Sequence, residues 1–570
     1  MQGDAVRSSG AARARIAIVV AVLTLALAVR AWQPQRLGLG HYDEGVYAIS
    51  ATGIVEWPGS HLFPGQTRFS PPAWFGGVGV VSRVLGAPPD RVAPWLNIGI
   101  GAATAAGAAA IGMAWFGVPV GAAAGVLLAV DPLGVMLSRS GLTDPLFTFW
   151  FLLAIGAMVR AVERGGWRAL ALAGLLTGLA WNTKYHGWFV GVVGVGAITG
   201  AWWWGRRQRD AARQWRLRFG RLVGLGLLAA LCYLPWAIYM RQAAGPRGFG
   251  SFVEYYLTLI DTAWVATASR HVAMQLFLDT PLARVGLALA AAVLVWSGRS
   301  RLAPGRLIAV ALVLVVPTLL VGTIATIGIL VVGGLLRLWP ERTRLPVAAC
   351  FAWLGLWVVA APFYHPYARL LLPMMVVAAL LAAVGLEGIV RWAGADEQVG
   401  LPSRSVAILA LVLGGALWFV PGPARALGDP WRDASGSQAV AVALDAAAPG
   451  GAPIHVLGEP SIAHYLTRLG REAPTLTDDF RVFDSLTAPV YLAAGVYSRR
   501  APNIRAGVEH LRGRLDSLGA FAPDPTDLRL LDDLGPGEAR RFRRAPDTEF
   551  DVVLYRIRPA SAVPVLAGDR

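Results

Sequence analysis

For most of its length the chain alternates between long apolar runs and short arginine-rich turns. Apolar residues dominate residues 16–32, then about 92–116, 118–137, 145–162, 168–183, 186–204, 219–240, 281–297, 306–321, 323–338, 345–361, 367–391 and 404–421. Runs of this kind predict membrane-crossing helices, roughly thirteen at about 20 residues each, several of them short or tilted. The stretch 307–338 is too long for a single crossing, since about 48 Å of helix would face a hydrocarbon core of about 30 Å. Two short helices turning near Thr323–Gly328 are expected there. That hairpin also keeps Arg337, Arg342 and Arg344 on the side of the other arginine turns.

The polar turns set an orientation. Arg7, Arg13 and Arg15 precede the first apolar run, no small-residue cleavage site follows it, and many further spans do. A signal anchor with a cytoplasmic N-terminus is expected. The turn carrying Arg206, Arg207, Arg209, Arg213, Arg216 and Arg218 falls on the same side. So do the turns with Arg299, Arg301 and Arg306, with Arg337, Arg342 and Arg344, and with Arg391 and Arg404, as the inside bias of positive charge requires.

Residues 33–91 then form the first extracytoplasmic loop. It holds GHYDEGVYAIS at 40–50 and RFSPPAWFGGVGVVSRVLG at 68–86. The latter is apolar but short and broken by Arg83, which predicts a helix lying in the interface. Residues 241–280 form a second such loop. After residue 421 the composition turns mixed and charged. Residues 422–570 are long enough for a small domain, with APIHVLG and FDVVLYRIR reading as strands and EPSIAHYLTRLG and NIRAGVEHLRGRLDSLG as helices. The expected fold class is a polytopic α-helical membrane protein of the inner (plasma) membrane. Residues 1–421 form its transmembrane part and 422–570 an extracytoplasmic α/β domain.

Composition agrees: 55% hydrophobic residues, 15% charged residues and a mean hydropathy of +0.53, where a soluble protein would carry about a quarter charged residues. Cys232 and Cys350 sit inside apolar runs, so neither a disulfide framework nor a thiolate metal site is expected. The net charge of +16 is carried by the turns between spans, as membrane topology alone predicts, and nucleic acid is not expected as a partner. Among 51 basic residues Lys184 is the single lysine. A compact ammonium kept in so arginine-biased a chain marks a place where a planar guanidinium will not serve.

Four polar clusters reach the extracytoplasmic face in this topology. They are Asp43–Glu44, the segment SRSGLTDPLFTF with Arg139 and Asp144, the segment NTKYHGWF with Lys184 and His186, and PFYHPYARLLLP with Tyr364, His365 and Arg369. Each has a plainer reading. Asp43 and Glu44 suit a first helical turn, Asp144 before Pro145 suits a helix start, and Lys, Tyr and Trp suit an interfacial belt. Cations at outer helix ends nevertheless run against the inside bias, and together the clusters suggest a site. A carboxylate there can act as general base towards an acceptor hydroxyl or amine. Lys, His and Arg can hold a lipid phosphate and stabilise it as a leaving group. Neighbours on a helix point about 100° apart, so Asp43 is the candidate base and Glu44 an orienting or cation-pairing residue. No cofactor is expected. Asp43, Glu44, Asp144 and His186 could in principle ligate a divalent ion, but their spacing gives that no support.

Taken in order, the Asp-Glu loop, the Pro-Pro segment, the Leu-Thr-Asp-Pro turn, the Thr-Lys-Tyr-His-Gly helix end and the His-Pro-Tyr-Ala-Arg-Leu-Leu-Leu-Pro run form a pattern. Over roughly residues 16–392 it resembles the dolichyl-phosphate-mannose protein mannosyltransferase and lipid A aminoarabinose transferase family. Those are membrane glycosyltransferases of the C-type fold that use polyprenyl-phosphate sugars. The resemblance implies Asp43 as catalytic base and Lys184, His365 and Arg369 near the donor phosphate. It also implies an inverting single displacement without a nucleotide sugar. Where the family often has Lys or His before Pro-Pro, this chain has Phe69-Ser70, and Arg68 is the candidate substitute. The implied partners are a polyprenyl-phosphate sugar donor, a lipid, glycan or protein acceptor, and membrane lipids. The competing reading is a secondary transporter using ionisable groups as a proton relay, whose charges would sit mid-span.

Overall fold

The computed structural model of the chain describes residues 2–55, 70–208, 210–258, 264–269, 280–297, 303–363, 367–394, 402–419, 430–431, 433–473, 475–476, 480–495, 502–522 and 551–559. Its membrane half opens with α1 (Gln2–Arg30), α2 (Tyr42–Val55), α3 (Ala73–Leu85), α4 (Pro89–Phe116), α5 (Val118–Ala129) and α6 (Pro132–Ser138). It continues with α7 (Asp144–Arg164), α8 (Trp167–Thr183), α9 (Phe189–Gly205), α10 (Ala211–Thr258) and α11 (Pro281–Ser297). It closes with α12 (Pro304–Leu320), α13 (Thr323–Leu338), α14 (Leu345–Ala360), α15 (Leu372–Ala393) and α16 (Ser403–Trp418).

Among the described residues seven helical stretches are long and apolar enough to cross a bilayer, eight if the bent pair α5–α6 counts as one. This is fewer than the roughly thirteen expected from apolar runs. Runs such as 168–183, 281–297 and 404–421 do become helices, but of 16 or 17 residues (α8, α11, α16). Hydropathy reports that a segment is apolar and says little about whether it alone spans the core. The run 307–338 is divided as length demanded. The break falls at Val321–Gly322, just before the expected turn, where Gly322 takes φ 114°, a value that glycine adopts without strain.

The centre of the bundle is α15, almost wholly buried. Gly385 on it faces the backbone of Leu330 and Gly334 on α13, so closely that a Cβ would collide with the Leu330 carbonyl. Small residues at such a crossing let two membrane helices touch along their backbones. The 58° bend between α5 and α6 exposes carbonyls that lipid cannot satisfy. Buried Arg30 at the end of α1 fills the gap, its guanidinium donating to the carbonyls of Ala129 (2.7 Å) and Leu128 (3.1 Å) and to Ser138 Oγ (3.2 Å).

Beyond the bundle lie α17 (Gly436–Ala447), β1 (Ile454–Leu457), α18 (Pro460–Arg468), β2 (Thr475–Leu476), β3 (Val490–Ala494), α19 (Pro502–His510), β4 (Leu515–Phe521) and β5 (Val552–Ile557). The five strands form one mixed sheet in the order β2-β1-β3-β5-β4. β1 is parallel to β2 and β3, with Ile454 opposite Tyr491 and Leu457 opposite Ala494. β5 is antiparallel to β3 and β4, with an irregularity between Ser517 and Gly519. One apolar core joins this sheet to the loop after α1, since Leu39 and Ala48 pack with Val456, Ile462, Leu466 and Leu554.

Candidate active site

The chain leaves α1 through Gln33, whose φ of 52° turns it back, and runs through residues 34–41 to the start of α2. Tyr42, Asp43 and Glu44 are the first three residues of that helix, where backbone N–H groups lack intrahelical acceptors. Glu44 reaches back to them. Its Oε2 accepts from the backbone N–H of Gly40 (2.7 Å) and His41 (2.6 Å), the glutamate half of a capping box. Its Oε1 accepts from Gly141 N (2.7 Å), binding the loop to the turn that leads into α7. Buried Glu44 therefore fixes the loop on which its neighbour sits.

Asp43 points elsewhere, as adjacency on a helix requires. Its side chain is 29% exposed, and Oδ2 accepts from Arg369 Nη1 at 2.7 Å. Arg369, 11% exposed, belongs to the short helical turn Ala368–Leu371 ahead of α15, and that turn is held by Trp357 Nε1 donating to Leu370 O (2.8 Å). Burial raises the Asp43 carboxyl. The charge of Arg369 and its hydrogen bond, with His41 and Lys184 nearby, outweigh burial and leave it below the ordinary carboxylate value.

A second pair stands beside the first. Asp144 begins α7, and its buried Oδ2 has no hydrogen-bond partner among the described residues. Its Oδ1 instead accepts from Lys184 Nζ at 2.6 Å, with side-chain exposures of 3% and 17% respectively. Lys184 is extended backbone between the end of α8 and a short turn at 185–188. In that turn His186 packs edge-on against Phe147, ring centroids 4.4 Å apart. Burial, then the Lys184 charge, lowers its pKa to about 3, so His186 is neutral at physiological pH.

Of the remaining expected residues, Arg139 is the one described. Arg139 is buried, and its guanidinium donates to the carbonyls of Arg30, Trp32 and Gln33, closing the end of α1. Arg139, expected as a phosphate ligand, thus has both Nη groups bonded to backbone carbonyls at the end of α1. Arg68, Tyr364 and His365 lie outside the described residues. Among the described residues no three His, Cys, Asp or Glu side chains are grouped to hold a metal ion.

What sequence reasoning missed is the clamp from the far end of the chain. Helix α18 lies along α2. Ser461 Oγ donates to His41 O (2.8 Å), Leu39 N donates to the Tyr465 hydroxyl (3.0 Å), and a Cβ on Gly45 would strike the Pro460–Ser461 backbone. Asp90 at the start of α4 pairs with His464 (3.1 Å) and Arg468 (2.5 Å) of the same helix. No local signal links residues some 420 positions apart. Because the Leu39 N–H is buried, Tyr465→Phe is expected to cost about 1–3 kcal/mol. Thermal unfolding of the detergent-solubilised chain measures it, and an unchanged midpoint contradicts the clamp.

With this geometry in place, the profile of the dolichyl-phosphate-mannose-protein mannosyltransferase family matches residues 80–239. The chain resembles that family. The matched segment contains the turn and helix ends that carry Asp144 and Lys184. Among solved structures, ArnT from Cupriavidus metallidurans bound to undecaprenyl phosphate is similar at 12% identity and a TM-score of 0.52, with 99% of this chain and 100% of that chain covered. The archaeal oligosaccharyltransferase AglB from Archaeoglobus fulgidus, in complex with an inhibitory peptide and a dolichol-phosphate, gives 12% identity and a TM-score of 0.47, covering 85% of this chain and 70% of that one. The ArnT likeness establishes a shared fold. No curated protein matches the chain significantly.

Proposed function

We propose that the chain transfers a sugar from a polyprenyl-phosphate donor to an acceptor hydroxyl or amine at the extracytoplasmic face of the inner (plasma) membrane. The observation that carries this reading is the pairing of Asp43 with Arg369 beside Asp144 with Lys184. One half-buried carboxylate and two cations stand there on a loop and helix ends fixed by buried contacts. The family match and the undecaprenyl phosphate named with ArnT support a lipid-phosphate donor.

In this mechanism Arg369 and Lys184 hold the donor phosphate. A guanidinium has five N–H donors, so Arg369 can bind phosphate and still orient Asp43. The Asp43 carboxylate takes the proton of the acceptor as its oxygen or nitrogen bonds to the anomeric carbon from the face opposite the phosphate. The bond from that carbon to the phosphate oxygen breaks, and its electron pair leaves with the lipid phosphate, whose charge the two cations stabilise. A single displacement inverts the anomeric carbon. Glu44 and Arg139 act through the backbone, neutral His186 lines the site, and Arg68, Tyr364 and His365 join the donor-binding set by sequence position alone.

The pH dependence tests the base. Asp43 must be ionised to accept a proton, and its folded value lies below the ordinary one. The acid limb of kcat/KM is therefore expected below about pH 4. The stabilisation from the Asp43–Arg369 pair follows the same sense: present above the ordinary carboxylate value and lost as pH falls through the lowered one. A limb near neutrality assigns the proton to another group. Retention of configuration in the product contradicts the single displacement.

A further inference from the structure

A cavity of about 860 Å³ lies away from the Asp43 cluster. It is lined by the ends of α4, α7 and α9, the first half of α8 and the starts of α10 and α14. Asp144 begins the 21-residue α7 and Arg164 ends it, about 30 Å away at 1.5 Å per residue. The cavity and the two ion pairs thus lie towards opposite membrane faces.

Its composition is graded. The deep wall is aliphatic, with Ile111, Leu153, Leu176 and Ile198. Trp115, Trp202 and Trp215 stand nearer the helix ends, the residue type that favours the boundary between acyl chains and headgroups. The rim is cationic: Arg160, Arg164, Arg218 and Arg344 line it against the single carboxylate of Glu163. Arg344 is already paired with Glu341, whereas Arg160, Arg164 and Arg218 make no ion pair among the described residues. Guanidiniums suit phosphate because their fork matches two of its oxygens. A basic pocket between membrane helices at one leaflet is the arrangement that holds anionic headgroups.

We infer that this cavity is a binding site for an anionic glycerophospholipid of the leaflet opposite the catalytic face. The headgroup phosphate lies on Arg160, Arg164 and Arg218, and an acyl chain follows the aliphatic wall. The site uses none of the residues assigned to transfer, so it stands whether or not the proposed reaction does.

The test uses the full chain in detergent, with equimolar phosphatidylglycerol and phosphatidylcholine and retained lipid read by native mass spectrometry. The wild type is expected to retain phosphatidylglycerol about tenfold in preference. The combined variant Arg160→Gln, Arg164→Gln and Arg218→Gln is expected to bring that ratio towards one. Gln substitutions in the separate arginine turn, Arg299, Arg301 and Arg306, should leave it unchanged. Equal retention by the wild type overturns the proposal without reference to any variant. So does an undiminished preference in the first triple variant, or an equal loss in the second. Displacement of phosphatidylglycerol by added polyprenyl phosphate at equal concentration would assign the cavity to a different lipid and equally overturn it.

Discussion

Asp43→Asn is expected to lower turnover by about 10²–10⁴-fold while donor affinity stays within about threefold. The substitution keeps the size of the side chain and an oxygen able to accept from Arg369, so the geometry of the pair can persist. It removes the negative charge and with it the ability to take a proton. A loss confined to kcat is the signature of an interaction made in the transition state. If the variant turns over within tenfold of the wild type, Asp43 is not the base. If donor affinity falls in parallel, the residue serves binding through Arg369 instead.

Lys184→Ala is expected to have two separable effects. It leaves Asp144, 3% exposed, without its counter-charge, and breaking a buried pair from one side costs about 3–5 kcal/mol. It also removes one of the two cations proposed to hold the donor phosphate. Removing both partners, as Lys184→Ala with Asp144→Ala, should restore much of the stability and none of the donor affinity. Lys184→Arg keeps the charge but replaces a compact ammonium with a broad fork, and should recover stability better than affinity. Equal recovery of both by the double variant would mean that Lys184 is structural. Thermal unfolding and titration with a polyprenyl-phosphate sugar separate these outcomes.

Much of the site was legible because its residues break local expectations. A lone lysine, and carboxylates and cations at outer helix ends, stand out against an arginine-biased membrane chain. Their partners were not legible. Asp144 read equally well as a helix start, and only the fold brings Lys184 to it across 40 residues. Glu44 could be separated from Asp43 by helix geometry, but that Gly141 receives its second oxygen depends on tertiary packing. Arg139 looked like Arg369 in sequence, a cation beside a turn, and the structure instead places it on the carbonyls that end α1.

The same division holds for the fold. The length of 307–338 demanded a break, and Gly322 supplies the backbone conformation for it. Apolar runs located helices without saying which span alone. Ile454–Leu457 and Val552–Ile557 lie within segments whose composition reads as strand, whereas β3 and the pairing order depend on contacts between distant residues. The docking of α18 onto α2 is the largest omission, since Ser461 and Tyr465 carry no local mark of the loop they hold.

The most direct test of the central claim is transfer from the donor. Purified wild-type chain in liposomes would be given a panel of radiolabelled polyprenyl-phosphate sugars, with nucleotide sugars alongside, and sugar release or transfer would be followed. Turnover of at least one lipid-phosphate sugar, with the nucleotide sugars inert, is the predicted result. No turnover of any donor, together with solute flux across the liposome membrane, would contradict the account and favour a transporter.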